Sequence, residues 1–130
     1  MAEEVNLVLK KINPVVDKGS DIEFVFIVKD MAESYINFGN YKAKMQLRPY
    51  PKSSQVYDEL TTENERITLD ESGKITVKFP AAVTAEYKFD KAVYDLYVMS
   101  PDGHTYRIVE GIITARQGVT KWQPQQAATH

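Results

Sequence analysis

The stretch Val93-Tyr94-Asp95-Leu96-Tyr97-Val98-Met99-Ser100-Pro101-Asp102-Gly103-His104-Thr105-Tyr106-Arg107-Ile108 holds a complete β-hairpin. Pro101 presets the first turn angle, Asp102 can bond the backbone that follows, and Gly103 suits the left-handed position of a type I turn closed by a glycine bulge. Such a loop sets Ser100 opposite His104, so Val98 faces Tyr106 and Leu96 faces Ile108. Both pairs are apolar, and turn geometry agrees with hydrophobic pattern on one register. A shorter Asp-Gly loop would instead oppose Val98 to Arg107. The register makes Ala92, Tyr94, Leu96 and Val98 the inward set of one strand, and Tyr106, Ile108 and Ile112 that of the next.

The same period of two recurs upstream. Ile22, Phe24, Phe26 and Val28 share one face of Asp21–Asp30, and Tyr41 to Arg48 alternates apolar residues with Lys42, Lys44, Gln46 and Arg48. Lys74-Ile75-Thr76-Val77-Lys78-Phe79 repeats the pattern, and Val5–Leu9, Val56–Leu60 and Arg66–Leu69 are shorter candidates. Turn chemistry separates them: Asn13-Pro14, Lys18-Gly19-Ser20, Phe38-Gly39-Asn40, Arg48-Pro49-Tyr50-Pro51 and Asp70-Glu71-Ser72-Gly73. Pro80 to Tyr87 breaks the pattern and reads as one or two helical turns packed through Val83 and Tyr87. The expected architecture is all-β, an immunoglobulin-like antiparallel sandwich of seven or eight strands with one short helical turn. Residues 1–116 form the sandwich, and 117–130 form a polar tail. Phe24, Phe26, Met45, Leu47, Val77, Leu96 and Ile108 are the expected core.

At 130 residues, the chain fits one domain, and with 43% hydrophobic residues it can build a core without staples. Cysteine is absent, which excludes disulfides and thiolate metal sites and fits folding in a reducing compartment. A net charge of −2 lacks the basic excess of a nucleic-acid binder. The acidic start, Met1-Ala2-Glu3-Glu4, is unlike a signal peptide, and no apolar run is long enough to span a bilayer. Nucleic acid and membrane are therefore not expected partners.

Catalytic constellations are missing. His104 and His130 are the two histidines, and neither has ligand-type neighbours. Asp70-Glu71 lacks the alternating acidic spacing of a calcium loop, and Asp58-Glu59 with Glu63 and Glu65 reads as solvated charge. No nucleophile lies beside a base, so the expectation is a protein that is not an enzyme, with no cofactor and no metal. Tyr94, near the start of its strand, is either a tyrosine corner bonded back to nearby backbone or a large core residue.

The register leaves Val93, Tyr97, Met99, Arg107 and Val109 pointing away from the core. A solvated sheet face favours polar residues, so this group is expected to be a protein interface. Trp122, in the polar tail, is a candidate second anchor. Val25 and Ile27 are likewise apolar on a nominally outer face. Tyr35, Phe38, Tyr41, Tyr50 and Tyr57 lie in or beside loops and leave open a second function, a module binding carbohydrate or a cell-surface ligand.

From Val5 to Thr120, the layout resembles small virion proteins of tailed bacteriophages and prophages. The resemblance lies in the Lys18-Gly19-Ser20-Asp21 turn before Ile22–Val28, in Tyr41–Arg48, and in Glu59-Leu60-Thr61-Thr62-Glu63-Asn64. It continues through Ile67–Val77, Pro80–Ala85, Val93-Tyr94-Asp95-Leu96 and Ser100-Pro101-Asp102-Gly103. It is similar to the immunoglobulin-like modules of phage tails and necks, and in layout to the N-terminal domain of baseplate upper proteins. The resemblance implies a structural protein of the tail, neck, baseplate or capsid surface. Such a protein is folded in the host cytoplasm, carried in the virion, and partnered by other virion proteins or by copies of itself in a symmetric assembly.

Overall fold

The computed structural model describes residues 2–6 and 10–120, with side chains from residue 10 onward. Ten strand segments and one helical turn succeed one another as β1 (Ala2–Asn6), β2 (Lys10–Lys11), β3 (Val15–Asp17), β4 (Ile22–Lys29), β5 (Lys42–Arg48), β6 (Asp58–Thr61), β7 (Ile67–Leu69), β8 (Lys74–Phe79), α1 (Ala81–Thr84), β9 (Lys91–Met99) and β10 (Thr105–Arg116). They form an all-β sandwich. The smaller sheet has the order β1-β4-β8-β7; the larger runs β2-β10-β9-β5-β6, with β3 also paired to β10.

The alternating sequences become these strands because each pleated face meets a different medium. On β5, Ala43, Met45 and Leu47 are buried, whereas Lys42 and Lys44 are exposed. On β8, Ile75, Val77 and Phe79 are buried, and on β9 Ala92, Tyr94, Leu96 and Val98 are buried. These two inner faces, with Phe26, Val28, Leu60, Ile67, Ile108 and Ile113, make one core. Phe24 is only partly buried, because it sits near the end of the smaller sheet with its ring edge-on to Phe79 at 5.9 Å.

The turns follow their side chains. Gly103 has φ +93° and its N–H donates to Ser100 O at 2.9 Å, while Ser100 N–H donates to His104 O at 2.8 Å. Asp70 Oδ1 accepts from the N–H groups of Ser72 and Lys74, and Gly73 takes φ +85°. The helical turn starts after Pro80, which stands just outside it in an extended conformation. Thr84 is fully buried and ties the turn to the β3–β4 loop: its Oγ1 accepts from Gly19 N–H at 2.9 Å and lies 3.0 Å from Ser20 O. Tyr87 is buried, and Val83 packs on the core.

Two features lay outside the expected pattern. First, β10 carries a bulge. Tyr106↔Val98 and Arg107↔Tyr97 pair as the turn dictates, but the next pairs are Val109↔Leu96, Glu110↔Asp95 and Ile112↔Val93. Ile108 is the extra residue, and beyond it the parity of the strand is inverted. Ile108 and Val109 are both fully buried. Val109 is therefore a core residue and not part of an outer interface. Ile112 is turned outward and 45% exposed, against its expected inward position. Tyr106 is 48% exposed because β10 is a sheet edge there, β2 pairing with it only from Val109 onward.

Second, the N-terminal segment straps the two sheets. β1 pairs in parallel with β4 in the smaller sheet, and β2 and β3 pair in parallel with β10 in the larger. Between β2 and β3, Asn13-Pro14 interrupts the ladder, since proline cannot donate. Asn13 Oδ1 takes over by accepting from Ile112 N–H at 2.9 Å.

Candidate functional site

The outer face of the larger sheet collects the side chains singled out from the sequence. Cross-strand rows order it. Lys44, Tyr97 and Arg107 form one row, Gln46, Asp95 and Glu110 the next, and Arg48, Val93 and Ile112 a third. Tyr97 is 41% and Met99 39% exposed, Arg107 is exposed, and Val93 is half-buried. Four of the expected contact residues, Val93, Tyr97, Met99 and Arg107, therefore share this face. Val109 lies beneath it, and Trp122 lies outside the described residues.

The bulge adds Ile112 to the apolar part of the face, and β3 adds exposed Val15 beside Thr114. Sequence reading missed both. The signal for the first was the adjacent pair Ile108-Val109, two apolar neighbours where strict alternation allows one.

Around Tyr97 the surface is concave on both sides. One shallow groove of about 700 Å³ runs over Val93, Asp95, Arg107 and Ile112 to the β5–β6 loop at Lys52 and Ser53. A second depression, about 650 Å³, lies between Tyr97, Met99, Lys42, Lys44 and Glu59. Arg48 shapes the wall of the first: its guanidinium donates to Ser53 O and to Gln46 Oε1, and Gln46 Nε2 donates to Glu59 Oε1 at 2.6 Å.

In the middle of the first groove, Arg107 Nη1 lies 3.7 Å from both Asp95 Oδ2 and Glu110 Oε1. Burial pushes the Asp95 carboxyl above its usual range, the nearby Glu110 adds to this, and Arg107 opposes it. The two carboxylates are thus shared by one guanidinium. Among the described residues, no group of three His, Cys, Asp or Glu side chains is placed to hold a metal ion.

Other sequence candidates resolve as structural ties. Asp58 lies at the end of the sandwich, where Arg66 binds it in a two-pronged contact at 2.8 and 3.2 Å, and Tyr87 Oη donates to it at 2.6 Å. Burial, then the Asp58 carboxylate, raise the Tyr87 hydroxyl well above its ordinary pKa. Tyr94 is buried and its hydroxyl is bonded to backbone, but to Ile12 and not to a nearby residue. His104 is exposed in its turn, 3.1 Å from Asp102. Of the loop aromatics, Phe38 is buried against Tyr41, and Tyr57 stacks on Phe89 at 4.4 Å. Exposed Tyr35 and Tyr50 sit at opposite ends of the sandwich, one beside the start of β5 and the other beyond its end. No helix among the described residues is long and apolar enough to cross a membrane.

No family model matches the sequence, and no curated protein matches it. Among solved structures, the fold is similar to the N-terminal domain of phage TP901-1 ORF48, with a TM-score of 0.53 and 10% identity, over 89% of this chain and 99% of that one. At this identity the likeness is one of fold.

Proposed function

We propose that this chain is a non-enzymatic structural protein of a tailed-phage particle, held in place by contacts made through the outer face of its larger sheet. The observation that carries the reading is the fold shared with nearly the whole of a phage protein domain. The face supports it. An aromatic, a methionine and an arginine occupy positions where a solvated strand favours Thr, Lys or Glu, and these residue types are enriched at interface cores. The two carboxylates in the groove are both engaged by Arg107. On this reading the partners are other virion proteins and further copies of the chain, and the protein folds in the host cytoplasm before entering the virion.

The test is incorporation. The protein is expected in purified particles at fixed stoichiometry by quantitative mass spectrometry. Tyr97→Glu is expected to leave the isolated domain folded by circular dichroism yet to be missing from particles. Particles that contain the variant at the wild-type level would overturn the assignment of this face, and particles without the wild-type protein would overturn the function.

A further inference from the structure

The outer face has a counterpart on the same molecule. Three loops meet at the end of the sandwich where β5 begins: residues 30–41, 70–73 and 100–104. Lys42↔Met99 pairing brings the start of β5 beside the end of β9, and Phe38 N–H donates to Asp70 O at 3.1 Å. The three loops hold Asp30, Glu33, Asp70, Glu71 and Asp102, and no lysine or arginine. Lys29, Lys42 and Lys74 stand on the adjoining strands, Lys42 paired with Glu63 at 3.7 Å.

The foremost of these loops is shaped as a tip. Asp30 Oδ1 accepts from the N–H groups of Ala32 and Ser34, Asp30 N–H donates to Ser34 O, and Glu33 sits at φ +68°. This tight turn presents Met31, 74% exposed, and Tyr35, 57% exposed, between carboxylates. Lys29 lies over the Tyr35 ring at 5.1 Å.

The groove on the larger sheet is opposite in charge to that tip, with four basic side chains in its lining against two carboxylates. Its floor sets apolar Val93, Tyr97 and Ile112 around the Arg107, Asp95 and Glu110 cluster, and Lys11, Arg48 and Lys52 stand around it. The two carboxylates already share Arg107, whereas Lys11, Arg48 and Lys52 have no carboxylate within 4 Å among the described residues. A chain with net charge −2 thus carries a groove with a cationic rim on one face and an acidic, apolar-tipped end elsewhere.

We infer that the Asp30–Tyr35 tip of one copy docks into this groove on a second copy, head to tail. The inference rests on the reading of the outer face as a contact surface and names its occupant. The two patches lie at different places on the molecule, so the contact is heterologous and generates a ring if its rotation closes and a filament if it does not. Five strand columns about 4.8 Å apart and roughly seven residues long give a face of the order of 550 Å². That is below the ~800 Å² per partner of a standard interface, so each contact is weak and gains strength only by repetition.

Sedimentation of the purified protein tests it. Average mass is expected to rise with concentration at about 0.05 M salt and to return to monomer at about 0.5 M, because exposed charges are screened. Lys11→Glu/Lys52→Glu and Glu33→Lys/Glu71→Lys, each checked for an unchanged unfolding midpoint, are each expected to be monomeric alone and to associate when mixed. Wild-type protein that stays monomeric at low salt would overturn the inference. So would loss of association in the groove variant but not in the tip variant, which would indicate a face-to-face dimer. A protein that is monomeric yet incorporated into particles would sink this contact and leave the proposed function standing.

Discussion

The hydroxyl of Tyr94 donates a 2.6 Å hydrogen bond to the carbonyl oxygen of Ile12, 82 residues earlier in the chain. Tyr94 pairs across the ladder with Gly111, and a Cβ at Gly111 would lie only 2.1 Å from that same carbonyl oxygen. The strap therefore presses closest on β10 where β10 has no side chain, and the tyrosine secures it from the core side.

Tyr94→Phe is expected to cost about 1–2 kcal/mol, since a buried carbonyl loses its partner while the ring is kept. Gly111→Ala is expected to cost about 1–3 kcal/mol or to detach the strap, because backbone must move. Urea unfolding measures both. Hydrogen exchange should show faster opening of the Ile12 and Ile112 amides in either variant.

The bulge gives neighbouring isoleucines opposite fates. Ile113→Ala is expected to cost about 2–5 kcal/mol, as is Leu96→Ala, because each empties a fully buried site. Ile112→Ala is expected to fall within about 0.5 kcal/mol of wild type in the isolated protein. Equal costs at 112 and 113, read from thermal or urea midpoints, would refute the inverted parity.

Asp58→Ala leaves the Arg66 guanidinium, whose side chain is only 14% exposed, without its counter-charge. The expected loss is about 3–5 kcal/mol, well above that of an exposed ion pair. Tyr87→Phe removes one donor to the same carboxylate and is expected to cost about 1 kcal/mol. A double-mutant cycle between Asp58 and Tyr87 should show coupling.

Asp95 binds its proton more tightly in the folded chain than in the unfolded one. A raised carboxyl pKa means that stability is lost as pH rises through the window between the unfolded value, 3.8, and the folded one above it. Asp95→Asn is therefore expected to raise the unfolding midpoint at pH 7. The gain should shrink toward zero as the pH is lowered below that window, where wild-type Asp95 is neutral in both states. A pH series of thermal melts checks the sign.

Local chemistry was legible in the sequence. Pro101-Asp102-Gly103 dictated the hairpin loop and its first pairs, and alternation on β5, β8 and β9 identified which side chains enter the core. Val93, Tyr97, Met99 and Arg107 were read onto the correct face because they precede the bulge or lie on the partner strand. Val109 and Ile112 were misplaced because one inserted residue inverts every position after it. The strap was illegible for another reason: its pairing with β10 joins residues about a hundred positions apart, and nothing near Ile12 specifies it. Its one local trace is Gly111, an isolated glycine inside a strand, which signals close backbone approach.

The parallel pairing of β3 with β10 also has a mechanical meaning. Tension applied between the chain upstream of β2 and the chain downstream of β10 draws these neighbours in opposite directions along their common axis. The bonds Ile12 N–H to Glu110 O, Thr114 N–H to Pro14 O and Lys18 N–H to Arg116 O are then loaded together in shear, and cannot open one after another like a zip. A domain tethered by its flanks would hold its shape under such a pull. Single-molecule stretching from the flanks is accordingly expected to need more force than stretching from anchors placed at Lys91 and Thr114, which face each other at the open end of the hairpin, so that β9 peels from β10 pair by pair.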